Sequence, residues 1–134
     1  MKTQMNHMFE LAKRAMANAY APYSKFTVGA CLRDENNQLF TGANVENAVF
    51  RMTNCAESNA IGAMASSGSR KILDLVVIAQ GPLLVSPCGS CRQQILEFAD
   101  EHTHIHLCNA QGIQQSLTID KLLPYAFGSQ HFYE

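Results

Sequence analysis

The sequence predicts an α/β domain, a sheet with helices on both faces, and three observations point there. A length of 134 residues with 47% hydrophobic and 16% charged side chains fits one domain spanning 1–134 around a real core. The run Leu73–Ala79 is nearly continuous in apolar residues, the pattern of a strand buried on both faces. Extended segments come first and then alternate with helical ones, an order that builds a sheet between helical layers.

From Met5 to Tyr20, apolar residues recur at helical intervals (Met5, Met8, Phe9, Ala12, Ala15, Met16, Ala19). This predicts an amphipathic helix with its methionines in the core, ended by Ala21-Pro22-Tyr23-Ser24. Phe26–Leu32 and Leu39–Val45 read as a hairpin about the polar turn Asp34-Glu35-Asn36-Asn37. Cys55–Ser67 carries Ala, Ile and Met at helical spacing and stops at Gly68, after which Leu73–Ala79 is the buried strand. Pro87 stands before a helix over Cys88–Ala99 whose Ile95, Leu96, Phe98 and Ala99 face inward. His104–Cys108 is the next strand, and Gly112 turns the chain into Gln114–Leu117. Thr118 caps a short closing helix to Leu123, which Pro124 cuts. Cys31 and Cys108 fall within strands and are expected to be inert core residues. His102, His104 and His106 alternate along a strand, which places them on one solvated face.

The formal charge of −1 lacks the Lys/Arg excess with which proteins displace counterions from polyphosphate, so nucleic acid is not expected as a partner. No apolar run approaches bilayer length, and Met1–Tyr20 contains Glu10 and no cleavable apolar core, so neither membrane nor leader is expected and the protein reads as cytoplasmic. The apolar balance suits a chain that hides surface against copies of itself. Five cysteines are an odd number for disulfides, and Cys88-Gly89-Ser90-Cys91 has a chelating spacing, so reduced thiolates on a metal fit better.

The chemistry concentrates at two predicted helix starts. Cys55 opens one helix, and Cys88 and Cys91 share a face of the first turn of the other, so that three thiolates can form a tripod. Helix N-termini carry roughly half a positive charge, which favours thiolates there. Three protein ligands leave a fourth position for water, the arrangement of catalytic rather than structural zinc. Glu57, two residues after Cys55, can reach that water without ligating the ion, which is a general acid/base placement.

Cys55-Ala56-Glu57 followed by Ser86-Pro87-Cys88-Gly89-Ser90-Cys91-Arg92-Gln93 resembles the small homotetrameric zinc-dependent cytidine deaminases of pyrimidine salvage. The likeness extends over Ala19-Tyr20-Ala21-Pro22-Tyr23-Ser24-Lys25-Phe26, Val28-Gly29-Ala30, Asn44-Val45-Glu46-Asn47-Ala48, Leu122-Leu123-Pro124 and Ala126-Phe127. The resemblance implies a three-layer α/β/α sandwich with a five-stranded mixed sheet. It implies one Zn2+ per subunit on Cys55, Cys88 and Cys91, and hydrolysis of free cytidine and 2′-deoxycytidine to the uridines with release of ammonia. Hydroxide on the zinc would add at C4 while Glu57 shuttles protons. By the same resemblance Asn44 and Glu46 bind the ribose 3′-hydroxyl, Phe26 packs by the base and Ala56 offers backbone contacts. Phe127 enters the neighbouring subunit's pocket, so that a homotetramer shares its active sites.

Two departures stand out from that family pattern. Ser58 occupies the place where the family usually has an arginine donating to the zinc thiolates, which leaves Arg51 or Arg92 to supply the positive field and extends the expected substrates to N4-substituted cytidines. Phe50 stands where tyrosine is common. Two other functions compete with this reading: a structural zinc module for protein association, in which Glu57 is dispensable, and a deaminase of another aminopyrimidine, which would need other sugar contacts.

Overall fold

A computed structural model describes residues 2–132 of the chain. Helix α1 (Lys2–Ala17) leads into strands β1 (Val28–Asp34) and β2 (Leu39–Ala43), followed by helix α2 (Ala56–Ser66), strand β3 (Ile72–Ala79) and helix α3 (Gly89–Glu97). Strands β4 (His104–Asn109) and β5 (Gly112–Thr118) and a one-turn helix α4 (Ile119–Leu122) complete the regular elements, with short 3₁₀ turns at Phe50–Met52 and Ser129–His131. The sheet is five-stranded and mixed, in the order β2-β1-β3-β4-β5. Only β3 and β4 run parallel, joined across α3.

Strand alternation divides the core in two. Met8, Phe9 and Ala12 of α1 bury Cys31, Val76, Ile78 and Cys108 on one face. Ala60, Ile61 and Met64 of α2 and Ile95 of α3 bury Ala30, Leu32, Leu75, Val77, Ile105 and Leu107 on the other. The expected helices on both faces, and so the three layers, are present. Cys31 and Cys108 are core residues as expected, and burial pushes each thiol up to about 12.

Topology brings the two cysteine-bearing helix starts to the same end of the sheet. Because β1 is antiparallel to both β2 and β3, those two strands point the same way. The chain leaving each of them runs on to the start of a helix, α2 after β2 and α3 after β3. Gly42 makes the first of these approaches possible: a Cβ there would lie 2.3 Å from the Ala56 carbonyl and 2.6 Å from the Ala60 nitrogen. The first turn of α2 therefore rests directly on the backbone of β2.

The element ends differ from expectation where backbone groups find other partners. The first helix stops at Ala17 rather than Tyr20, because Tyr20 N–H donates to the Asn44 carbonyl (3.0 Å) and its own carbonyl accepts from Glu46 N–H (2.9 Å). Strand β1 starts at Val28 rather than Phe26, because Phe26 N–H donates to the Ser24 hydroxyl (3.0 Å) and its carbonyl accepts from Asn44 Nδ2 (2.8 Å). The solvated histidine face is corrected for His106, which is only 8% exposed. Its Nε2 donates to Asp74 Oδ1 (2.8 Å) and its Nδ1 pairs with the Ser116 hydroxyl (2.7 Å), while Arg33 Nε and Nη2 donate to Asp74 Oδ2 at 3.1 and 2.5 Å. This polar chain crosses β1, β3, β4 and β5 on the face that α1 covers. His102 and His104 are exposed, as expected.

Candidate active site

Cys55 and Cys88 are the N-cap residues of α2 and α3, both in extended backbone, and Cys91 lies in the first turn of α3. Their sulfurs all lie within 4.8 Å of one another, and they form the one cluster of three or more metal-ligating side chains among the described residues. A tetrahedral ion with zinc–sulfur bonds near 2.3 Å sets its sulfurs roughly 3.8 Å apart, so the trio fits such an ion with little adjustment. None of the five cysteines is in a disulfide.

Burial pushes the Cys55 and Cys91 thiols above their ordinary value, and the Glu57 carboxylate beside them adds to the shift. Cys88 goes the other way: burial raises it too, but the backbone N–H groups of Cys91 and Ser90 and the neighbouring thiols more than offset that and lower it. The start of α3 thus favours one thiolate, whereas the other two sulfurs need a cation to give up their protons. Glu57 sits one residue into α2 and is 5% exposed. Burial raises its carboxyl above the ordinary value, against weaker opposition from its own backbone N–H and Cys91.

A cavity of about 270 Å³ opens onto these groups. Phe26, Asn44, Glu46, Cys55, Ala56, Glu57, Cys88 and Cys91 all line it, so residues from four separated stretches of sequence meet as expected. Phe127 does not line it. That residue is 59% exposed, its ring stacks on His131 at 4.9 Å and meets Phe132 edge-on at 5.6 Å, and its carbonyl accepts from Gln93 Nε2 (2.8 Å).

The two residues expected to hold the sugar also hold the protein. Asn44 Oδ1 accepts from Val28 N–H (2.9 Å) and its Nδ2 donates to the Phe26 carbonyl (2.8 Å), which leaves one donor and one lone pair of the amide free. Glu46 Oε1 accepts from the N–H groups of Tyr23 (2.9 Å) and Ser24 (3.1 Å), and Oε2 accepts from the Ser24 hydroxyl. These bonds, that of the Ser24 hydroxyl foremost, hold the Glu46 carboxyl below its ordinary value.

Sequence reasoning missed several cavity residues: Ser24, Thr53, Asn54, Val85 and Ser86 also line it. Ser24 and Ser86 lie inside the motifs quoted above, which was the available signal; Thr53, Asn54 and Val85 sit in irregular loops without one. Arg92 does not donate to a sulfur. Its Nε, Nη1 and Nη2 donate to the Pro87 carbonyl (2.9 Å), the Leu122 carbonyl (2.5 Å) and the Ser86 hydroxyl (2.8 Å), tying the approach to Cys88 onto α4. Arg51 is exposed on the 3₁₀ turn, and Ser58 is half-buried and outside the cavity lining.

The sequence model of a family described as the cytidine and deoxycytidylate deaminase zinc-binding region matches residues 2–107. A cytidine deaminase of Sporosarcina psychrophila is 44% identical over 119 residues, which cover 89% of this chain and 88% of the relative. One of Mycoplasma genitalium is 38% identical over 129 residues, covering 95% and 98%. The crystal structure of cytidine deaminase from Burkholderia pseudomallei superposes with a TM-score of 0.86 at 37% identity, over 91% of this chain and 98% of that one. That of Mycobacterium tuberculosis gives 0.78 at 35% identity, over 92% and 96%.

Proposed function

This chain belongs to the cytidine and deoxycytidylate deaminase family, and we propose that it hydrolyses free cytidine and 2′-deoxycytidine to uridine and 2′-deoxyuridine, releasing ammonia, as a step of pyrimidine salvage. The observation that carries this reading is the meeting of three thiol sulfurs and a buried carboxyl in a single cavity. Cys55, Cys88 and Cys91 hold the zinc, which when bound supplies Lewis acidity and brings the pKa of a coordinated water down to about 7.

The remaining work falls to the chain's own groups. Glu57 takes a proton from the attacking water and places it on N3 as the bond to C4 forms, then takes the second proton from the hydroxyl now on C4 and passes it to the 4-amino group, which leaves as ammonia as the C4–N bond breaks and the C4 carbonyl forms. Its burial suits a group that must carry a proton on and off during turnover. Asn44 and Glu46 bind the sugar 3′-hydroxyl with the lone pairs and donor left over from their internal bonds. Phe26 packs on the pyrimidine and the Ala56 backbone contacts it.

Residues 1–134 act as one catalytic domain, in a cytoplasmic homotetramer. Self-association is supported by Tyr23 and Phe50, exposed and sharing a hollow with Glu46 beside the site, and by Val49 and Met52 on the same segment. Among the described residues no helix is long and apolar enough to cross a membrane. In the tetramer Phe127 closes a neighbour's cavity rather than its own.

The test is zinc content and the ultraviolet change of cytidine turning to uridine, for the parent and Glu57→Gln. The expected outcome is retained zinc with activity lowered about 10²–10⁴-fold. Full activity in the variant would remove the shuttle and favour a structural zinc. Running N4-methylcytidine in the same assay checks the wider substrate range expected from Ser58.

A further inference from the structure

The segment Tyr23–Val28 runs along the mouth of the cavity, and the sugar-binding candidates clamp it from below. Asn44 bridges its far end, at Phe26 O and Val28 N, and Glu46 its near end, at Tyr23 N and Ser24 N. Between them stands Ser24, whose hydroxyl donates to Glu46 Oε2 and accepts from Phe26 N–H at 3.0 Å. The next residue, Lys25, takes a φ of 62° without being glycine, a conformation that persists only where its surroundings impose it. Its N–H donates to the Ala21 carbonyl (3.0 Å), which closes the turn beneath it.

We propose that Ser24 is a positioning residue for nucleoside binding, its single hydroxyl joining the carboxylate of Glu46 to the backbone of Phe26 so that the sugar ligand and the base-packing ring keep one fixed spacing. A free carboxylate at a cavity rim rotates about its last bond, and each rotamer aims its lone pairs differently. With Ser24 on one oxygen and two N–H groups on the other, Glu46 presents its remaining lone pair in one direction, and a sugar hydroxyl meets it without reordering it. The same hydroxyl holds Phe26 N–H, so that loosening it frees both contacts at once.

This inference rests on the assignment of Glu46 to the 3′-hydroxyl, and the experiment separates the two. Steady-state constants are measured on the zinc-loaded oligomer for the parent, Ser24→Ala, Ser24→Thr and Glu46→Gln, each with cytidine and with 3′-deoxycytidine. For Ser24→Ala the expected result is a KM for cytidine raised about fivefold to tenfold, the size of one lost hydrogen bond, with kcat within about threefold of the parent. With 3′-deoxycytidine the same variant should shift KM less, by no more than about threefold, because only the contribution through Phe26 is left to lose once the hydroxyl that Glu46 binds is gone. Ser24→Thr, which keeps the hydroxyl, should recover most of the loss. If Glu46→Gln discriminates between the two nucleosides and Ser24→Ala affects them equally or not at all, Ser24 does not orient Glu46 and the proposed coupling of sugar ligand to base-packing ring falls. If Glu46→Gln itself fails to discriminate, the sugar assignment falls and takes the proposal with it.

Discussion

Single residues set the charge balance of the site. Three cysteines and a glutamate crowd together, and without a cation Cys55 and Cys91 sit above the ordinary thiol value while Cys88 sits below it. Arg92 does not relieve the crowding directly, since it donates to Pro87 O, Leu122 O and Ser86 Oγ. At Cys88 the stabilisation comes from the start of α3, through the N–H groups of Cys91 and Ser90 and the neighbouring thiols. Its own bonds give Arg92 a mechanical part, because they anchor the residues leading into Cys88. Arg92→Gln is therefore expected to speed zinc loss to a competing chelator severalfold, more than Arg51→Gln, which alters only an exposed turn. Equal rates in the two variants would contradict that assignment. The meeting of Cys55, Cys88, Cys91 and Glu57 in one cavity was legible in the sequence because helix starts and cysteine spacing are local signals. The internal bonds of Asn44 and Glu46 were not, because a bond from residue 46 to residues 23 and 24 leaves no mark on local spacing.

At the scale of elements, the site exists because α2 presses onto β2 and because β3 stays in register between β1 and β4. Gly42 serves the first. Gly42→Ala places a methyl inside the Ala56 carbonyl and Ala60 nitrogen, and is expected to cost about 1–3 kcal/mol of stability in thermal or denaturant unfolding. Asp74 serves the second. Burial raises its carboxyl, but the hydrogen bonds from His106 and Arg33 outweigh that and lower it below the unfolded value. A depressed carboxyl stabilises above its unfolded pKa and loses that stabilisation as pH falls through the folded one. Asp74→Asn should therefore be less stable than the parent near pH 7, by about 1–3 kcal/mol, with the gap closing below about pH 4. A constant gap across that range would contradict the role. The alternation put His104 and His106 on one face of β4, whereas His102 lies in the turn before the strand. The alternation could not say that Asp74 and Ser116, on the flanking strands, would bury His106.

The whole molecule is where the sequence alone said least. Extended segments and helical layers on both faces followed from hydrophobic pattern and the five-stranded mixed sheet from the family resemblance, but the meeting of the two helix starts at one end of the sheet follows from strand directions. Tyr23, Val49, Phe50, Met52 and Phe127 are exposed on the single chain, and in the proposed homotetramer their partners would be surfaces of other copies, which no pattern within one sequence specifies. Light scattering is expected to give the mass of four chains, and subunit mixing tests the shared site. Phe127→Ala and Glu57→Gln chains, each weak alone, should regain activity when unfolded together and refolded as mixed assemblies, because a Glu57→Gln chain can lend its Phe127 to a neighbour that keeps Glu57. Activity no higher than the average of the two parents would place Phe127 outside the neighbour's cavity.

The most direct test of the zinc-dependent chemistry is a paired titration of metal and turnover. Zinc is removed from the purified protein with a chelator and added back in known amounts while cytidine loss is followed. Turnover should vanish in the stripped protein and return in proportion to the zinc restored, reaching a plateau at one ion per chain. Undiminished turnover in protein shown to be free of metal would overturn the assignment of Cys55, Cys88 and Cys91, and with it the proposed reaction.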